Sequence, residues 1–223
     1  MLSLNKDRRS LLFCMLLGDG SLFFSGGKRK DGKRGVAFQL IHGDSQVDYL
    51  MWKKKILESI SRRELKTYSC MVKTGDKFHK SHRVKVAMRR FRAWRKFCYP
   101  KGKKDISRIL PYIRHPEMAM AIWLMDDGTV NYKKSKKYAD LRIHTDSEKP
   151  ESMEFIVSWI NDNFDVDVKV YMRKSKGKSY PTLRFNKKCG IKVWSIVREL
   201  ILNIPSMKYK FRHFETFYQS NVK

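Results

Sequence analysis

The chain alternates between continuously apolar runs and basic, turn-rich stretches, and it does so twice. Residues 11–17 (LLFCMLL) are apolar throughout and end at Gly18-Asp19-Gly20, while residues 118–125 (MAMAIWLM) end at Asp126-Asp127-Gly128. Pro116 and Glu117 mark a helix start, and a glycine closes each run, so both read as short helices. A helix that is apolar on every side is buried on every side. Two of them in one small chain most economically bury each other.

Each of these helices is followed by a basic turn-rich stretch, at 26–35 and 131–138, and then by a β-leaning run, at 36–42 (VAFQLIH) and 139–146 (ADLRIHTD). In the first run Val36, Phe38 and Leu40 oppose Gln39; in the second Leu141 and Ile143 oppose Arg142 and His144. That alternation predicts strands with one dry face and one polar, basic face. Amphipathic helices over 47–61 and 151–163 come next. Second basic hairpins follow around 73–82 and 173–181, with strands at 67–72, 83–88, 166–172 and 182–185. A last helix closes each unit, near 89–98 and 190–202. The predicted order is helix, two strands, helix, two strands, helix, read twice. It divides the chain into a first repeat over 1–98, a connection over 99–115 and a second repeat over 116–223. Matching spacings support duplication: His42 and His144 are 102 apart, Trp94 and Trp194 are 100 apart, and Asp19 and Asp127 are 108 apart.

Composition adds a partner. With 42% hydrophobic and 13% aromatic residues, 223 residues can bury a real core, which excludes global disorder. The 49 Lys and Arg against 22 Asp and Glu leave a net charge of +27. The excess is spread over both halves, with 28 basic and 9 acidic residues up to position 110 and 21 and 13 beyond it. So large a self-repulsion calls for a polyanion, and nucleic acid is the first candidate. The N-terminus lacks the order of a secretory signal and no apolar run is long enough to span a bilayer, so a soluble, intracellular protein of unspecified compartment with no membrane partner is expected. Cys14, Cys70, Cys98 and Cys189 show no C-x-x-C spacing and read as reduced core residues. His79-x-x-His82 near Cys70 lacks a second cysteine and reads as a basic turn, not a zinc site. Trp94, Trp159 and Trp194 fall at helical core positions.

The chemistry lies at the ends of the two apolar helices. A helix C-terminus carries partial negative charge, so Lys or Arg is expected there and a carboxylate is disfavoured. Asp19 and Asp127 both break that rule. One Asp-Gly is an ordinary turn; two at matching places are a pattern. If the helices pack side by side and parallel, both carboxylates and two rows of carbonyls meet, and a divalent cation with a taste for hard oxygen ligands, such as Mg²⁺, resolves the conflict.

The segments LFCMLLGDG (12–20) and MAIWLMDDG (120–128) resemble the paired signature helices of single-chain LAGLIDADG homing endonucleases. The resemblance extends over nearly the whole chain, departing at the bulky Ile122 and Trp123 and the moderately small Cys14, where the family has small residues. It implies an α+β fold of tandem αββαββα repeats, with two antiparallel, four-stranded, saddle-shaped sheets and the two motif helices packed at a pseudo-twofold interface. It implies a monomeric, Mg²⁺-dependent enzyme making a double-strand break at a long asymmetric DNA target, with 5′-phosphate and 3′-hydroxyl ends and short 3′ overhangs; Ca²⁺ is expected to support binding without cleavage. Asp19 and Asp127 map onto the metal-binding acids, and the carbonyls of the preceding Gly18 and Asp126 onto further ligands. Lys104 and Lys210 match the lysine that the family places beside the scissile phosphate, and His42 and His144 match places where it often has a water-orienting residue. Candidates for base reading on the polar sheet faces are Arg34, Gln39, Lys85, Arg142 and Arg184, with lysine-rich hairpins on phosphates. Two other readings remain: an RNA-binding intron maturase or non-cleaving DNA-binding protein of the same fold, for which intron RNA is a further candidate partner, and a generic basic nucleic-acid-binding protein.

Overall fold

The computed structural model describes residues 6–28, 32, 34–136, 138–175 and 177–222. Two α+β halves follow one another. The first runs α1 (Lys6–Leu17), β1 (Ser21–Lys28), β2 (Arg34–Gly43), α2 (Val47–Ser61), β3 (Thr67–Thr74), β4 (Lys77–Ala87), α3 (Phe91–Cys98) and a short α4 (Ile106–Ile109). The second runs α5 (Pro116–Asp127), β5 (Gly128–Lys133), β6 (Tyr138–His144), α6 (Pro150–Phe164), β7 (Lys169–Ser175), β8 (Lys178–Phe185), α7 (Lys187–Leu202) and α8 (Lys208–Gln219). Each half holds one antiparallel sheet, in the order β1-β2-β4-β3 and β5-β6-β8-β7.

The apolar runs behave as their composition requires. Leu12 to Leu17 on α1 and Ala119 to Met125 on α5 are all buried, and the two helices pack against each other as the central seam. Ile122, Trp123 and Cys14 fit within that seam at 1%, 0% and 0% exposure, so bulky residues do not prevent the pairing. Both helix ends turn on a glycine that nothing larger can replace. A Cβ on Gly20 would lie 2.2 Å from the Met15 carbonyl oxygen, and one on Gly128 2.2 Å from that of Leu124. Alternation places Val36, Phe38, Leu40 and Val84, Val86 of the first sheet, and Ala139, Leu141, Ile143 and Leu183, Phe185 of the second, in the core. The middle helices of the two halves end alike, with Arg62 (φ 55°) after α2 and Asp165 (φ 48°) after α6 in the left-handed conformation.

The strands β1 and β5 are the first of the two strands expected after each motif helix, to which the pattern reading gives no bounds, and both sit at sheet edges. Two features depart from the pattern reading. The segment 99–115 is more than a connection: Ile106, Ile109 and Leu110 are buried in the core. Finally, α8 lies beyond the last expected helix, driven by Phe211, Phe214 and Phe217 at i, i+3, i+6. Trp194 on α7 meets Phe211 and Phe214 at 5.3 and 5.7 Å between ring centroids.

Glu148, just before α6, ties the 99–115 segment down. Its Oε2 accepts from the Ile106 amide at 3.3 Å, while Oε1 is buried without a hydrogen-bond partner. Burial, with Asp105 nearby, pushes its carboxyl up to about 7. A carboxyl that binds its proton more tightly when folded contributes stability that is present below about pH 4.5 and lost as pH rises through about 7, on the order of 3 kcal/mol. Glu148→Gln keeps an acceptor for the amide and removes the titration. The variant should melt higher than the parent at pH 8 and show a shallower decline in melting temperature between pH 5 and 8, the remainder coming from Asp19 and Asp127, as scanning calorimetry can measure.

Candidate active site

The ends of α1 and α5 converge with three lysines and three carboxylates. Asp19 follows α1 by one residue, and its side chain is 43% exposed. Asp127 is the last residue of α5 and is half-buried. Between them sits Asp126, whose side chain is fully buried. Its carboxylate accepts from Lys53 Nζ at 2.6 and 2.8 Å, from the Tyr49 hydroxyl at 2.9 Å and from the Asp19 amide at 2.9 Å.

Electrostatics divide the acids. Burial opposes ionisation of Asp126, but the charge of Lys53, the neighbouring His42 and the hydrogen bonds outweigh it and hold the carboxyl below its usual range. The result is a fixed negative charge. Burial, and then the charge of Asp126, raise Asp19 to about 6; burial, Asp126 and Asp19 raise Asp127 to about 7. Lys53, Lys104 and Lys210 offset part of this crowding at Asp19, and Lys104 and Lys210 at Asp127. A partly open cluster of mutually repelling carboxylates, with all-oxygen donors, is what a hard divalent cation neutralises. The residues present therefore fit such an ion. Among the described residues, the group whose ligand atoms all lie within 4.8 Å of one another is Asp19, His42 and Asp126, which includes a ring nitrogen and leaves Asp127 outside.

Both expected lysines are at the site. Lys104 Nζ donates to the Gly18 carbonyl at 2.5 Å and to that of Gly20 at 3.5 Å. Lys210 Nζ donates to the Met125 carbonyl at 2.5 Å and to that of Asp126 at 2.9 Å. The two ammonium groups thus supply the positive charge that the helix ends lack. The Gly18 and Asp126 carbonyls, which the resemblance assigns to a metal, carry these lysines; each oxygen keeps a second lone pair. Lys104 is positioned by the buried α4 that follows it. Lys210 is positioned by α8, which Glu215 pins to α7 through Trp194 Nε1 at 2.6 Å and Arg198 at 2.5 Å. Burial lowers the proton affinity of both lysines, against the pull of the three aspartates.

The two histidines match in place and differ in surroundings. His42 is 4% exposed; its Nδ1 lies 3.3 Å from Gln46 Oε1 and 3.8 Å from Asp19 Oδ2, and its Nε2 lies 3.3 Å from Lys53 Nζ. Burial and the charge of Lys53 lower it to about 4, so the ring is neutral at neutral pH. His144 Nε2 lies 3.2 Å from Thr129 Oγ1.

Tyr49, Lys53 and the side chain of Asp126 are the parts that pattern reading missed. A signal was present: on α2, Tyr49, Leu50, Lys53, Leu57 and Ile60 form one buried stripe at helical spacing. A lysine on that stripe demands a buried anion.

On the sheets, Gln39 and Lys85 are register partners on the polar face of the first, and Lys85 lies over the Tyr68 ring at 5.7 Å. Arg142 and Arg184 are register partners on the second. Both are held by the buried Asp140, at 2.6 and 3.3 Å, which also accepts from Asn131 and Tyr138. Arg34 shares the parity of Val36 and Phe38, the helix-covered side, and its carbonyl accepts from Arg92 of α3's first turn at 3.0 Å. Cys14, Cys98 and Cys189 are buried, Cys70 is half-buried, and all four are free thiols. Among the described residues no helix is long and apolar enough to cross a membrane.

Residues 9–191 match the family model described as the LAGLIDADG DNA endonuclease family. Over 103 residues the chain is 32% identical to a probable intron-encoded endonuclease 1 of Wickerhamomyces canadensis, covering 46% of this chain and 41% of that protein. Over 202 residues it is 28% identical to the RecA protein of Mycolicibacterium chitae, covering 87% of this chain and 44% of that one. It therefore spans less than half the length of these curated relatives. Among solved structures, the homing endonuclease I-WcaI bound to its DNA recognition sequence superposes with a TM-score of 0.71 at 22% identity, over 94% of this chain and 88% of that one. I-DmoI in complex with DNA and Ca superposes at 0.52 and 14% identity, over 86% and 89%. These two share the fold with the present chain.

Proposed function

Because the chain belongs to the LAGLIDADG DNA endonuclease family, we propose that it is a site-specific, divalent-metal-dependent DNA endonuclease that makes a double-strand break at a long asymmetric target. The observation that carries the reading is the meeting of Asp19, Asp126 and Asp127 with Lys104 and Lys210 where α1 and α5 end. A solved structural relative was captured on its DNA recognition sequence and another with DNA and Ca, which supports DNA as the substrate here.

Asp19 and Asp127, with the carbonyl oxygens of Gly18 and Asp126, would hold the ion, and Mg²⁺ suits that donor set. Such an ion supplies an acidified water and charge for the departing oxygen. The chain's own groups do the rest. Lys104 and Lys210 bring one ammonium to each helix end, where they stabilise negative charge on a phosphate. His42, neutral and held between Gln46 and Lys53, stands beside Asp19 as the water-orienting group of the first half, with Nδ1 shared between Gln46 and that water; His144 is the matching group in the second half. Two acidic helix ends serve two phosphates, one per strand, giving 5′-phosphate and 3′-hydroxyl ends with short 3′ overhangs. Gln39, Lys85, Arg142 and Arg184 face the major groove, and lysines of the hairpins hold phosphates. Asp140 holds Arg142 and Arg184 in fixed orientations suited to guanine.

Purified protein incubated with a plasmid library of candidate insertion sites and Mg²⁺ tests the reading. One family of plasmids should be linearised with staggered 3′ ends; intact plasmids throughout, with retained binding, would turn the reading to the non-cleaving or RNA-binding alternative. Lys104→Met and Lys210→Met should each slow single-turnover cutting about 10- to 100-fold. Their affinity for the target in Ca²⁺ should change by less than about threefold, since one phosphate contact among many is a small share of the electrostatic term. Equal losses in both measurements would reduce them to phosphate anchors.

A further inference from the structure

We propose that Lys53 is a positioning residue that makes the two halves of the site unequal, acting through Asp126 to brace the main chain at Asp19 while the second half has no such brace. The inference rests on the nuclease reading for its kinetic readout and on geometry for its substance.

Gly18 and Asp126 stand at matching places, each immediately before a motif acid. They cannot both carry a side chain, since a Cβ on Gly18 would lie 2.2 Å from Asp126 Oδ2. Asp126 therefore takes the space that the glycine leaves and reaches across the seam to the end of α1, where Oδ2 accepts the Asp19 amide at 2.9 Å. What holds it there comes from the first half: Lys53 Nζ at 2.6 Å and the Tyr49 hydroxyl at 2.9 Å, both on α2. The Lys53 and Asp126 side chains are each 0% exposed.

The second half lacks the parts. Lys53 is the seventh residue of α2, and the seventh of α6 is the buried Ile156; Tyr49 is the third, and the third of α6 is Ser152. No side chain of the first half can mirror Asp126, because Gly18 has none. The asymmetry thus consists of an ion pair and a side-chain hydrogen bond that hold the main chain at Asp19, which lies beyond the end of α1, whereas Asp127 is still within α5 and is held by its own helix. A plain staple between α1 and α5 would act on both halves alike. A brace on Asp19 acts on one.

The test is strand-resolved. Parent, Lys53→Met/Asp126→Ala and Gly18→Ala are compared on a target carrying a different 5′ label on each strand, at saturating protein, after melting curves confirm folding. The double variant leaves no unpaired buried charge; Gly18→Ala displaces the Asp126 carboxylate while keeping both charges. In each, one strand should be cut at least about tenfold more slowly and the other within about threefold of the parent, so that nicked product accumulates. Without DNA or metal, hydrogen exchange at the Asp19 amide should quicken by at least about tenfold in the double variant, with amides of the α5 interior unchanged. Equal slowing of both strands, or Asp19 exchange unchanged from the parent, overturns the proposal. Should the parent cut neither strand, the nuclease reading fails instead, and the exchange at Asp19 alone decides whether the Asp126 carboxylate that Lys53 holds braces it.

Discussion

Asp19→Asn and Asp127→Asn should each lower double-strand cleavage by at least about a thousandfold while leaving target binding within about threefold of the parent or tighter. The amide keeps the shape of the side chain and removes its charge. The loss is expected because the cluster is arranged around that charge: three carboxylates crowd one place, Asp126 held below the usual carboxylate range, Asp19 raised to about 6 by burial and Asp126, and Asp127 to about 7 by burial, Asp126 and Asp19. Such an arrangement is unfavourable for the protein alone and favourable once a divalent cation enters. Taking either charge away weakens the hold on the ion and, with it, the chemistry. Binding survives because it rests on the sheets and on a +27 chain, and removing a negative charge beside phosphates helps it. Each variant should also separate the strands, with nicked circles as residual product. A variant that linearises plasmid at the parent rate would remove that aspartate from the mechanism.

Lys53→Met should be the most destabilising single change at the seam, costing about 3–5 kcal/mol, because it leaves the buried Asp126 carboxylate without a counter-ion. For a chain of this size that corresponds to a fall in melting temperature of roughly 6–20 °C. The pair is closed to solvent on both sides, with 0% exposure for either side chain, so water cannot take over the lost contact. Adding Asp126→Ala to Lys53→Met should recover most of the loss, since no unpaired charge then remains; the Tyr49 hydroxyl keeps the Ile122 carbonyl at 3.4 Å as an acceptor. Thermal melts of the parent, the single and the double variant measure this. A single variant within about 1 kcal/mol of the parent would mean that the ion pair contributes no more than an exposed one.

How much of this was legible in the sequence follows from the range of the interactions involved. Asp19 and Asp127 stand out locally, because a carboxylate at a helix C-terminus breaks an electrostatic rule readable from a nine-residue window. The helix pairing was legible for the same reason: only mutual burial accommodates runs such as LLFCMLL and MAMAIWLM. The fate of Asp126 was not, because its partner Lys53 is 73 residues away and sits in a Lys-Lys-Lys run that looks like a solvated face. Helical spacing singles out Lys53 on the buried stripe of α2, but only the packing of α2 against α5 shows that its partner is Asp126. The strands β1 and β5 were expected by order but not by position, because SLFFSGGK and GTVNYK lack the clean alternation that marks VAFQLIH and ADLRIHTD. Arg34 illustrates a limit of face assignment, where a strand-end residue was grouped by charge although its parity places it with Val36 and Phe38. Asp140, which holds Arg142 and Arg184, shows the reverse: a buried acid on the polar face of β6, seen only once the strands are paired.

Asp19 and Asp127 together are expected to hold a divalent ion at the seam between α1 and α5. Anomalous diffraction from crystals of the protein on its target DNA, grown with Mn²⁺, measures it directly. A peak with carboxylate oxygens of both residues within roughly 2–2.5 Å is the expected result, and manganese bound away from both aspartates, or on neither, would contradict the account.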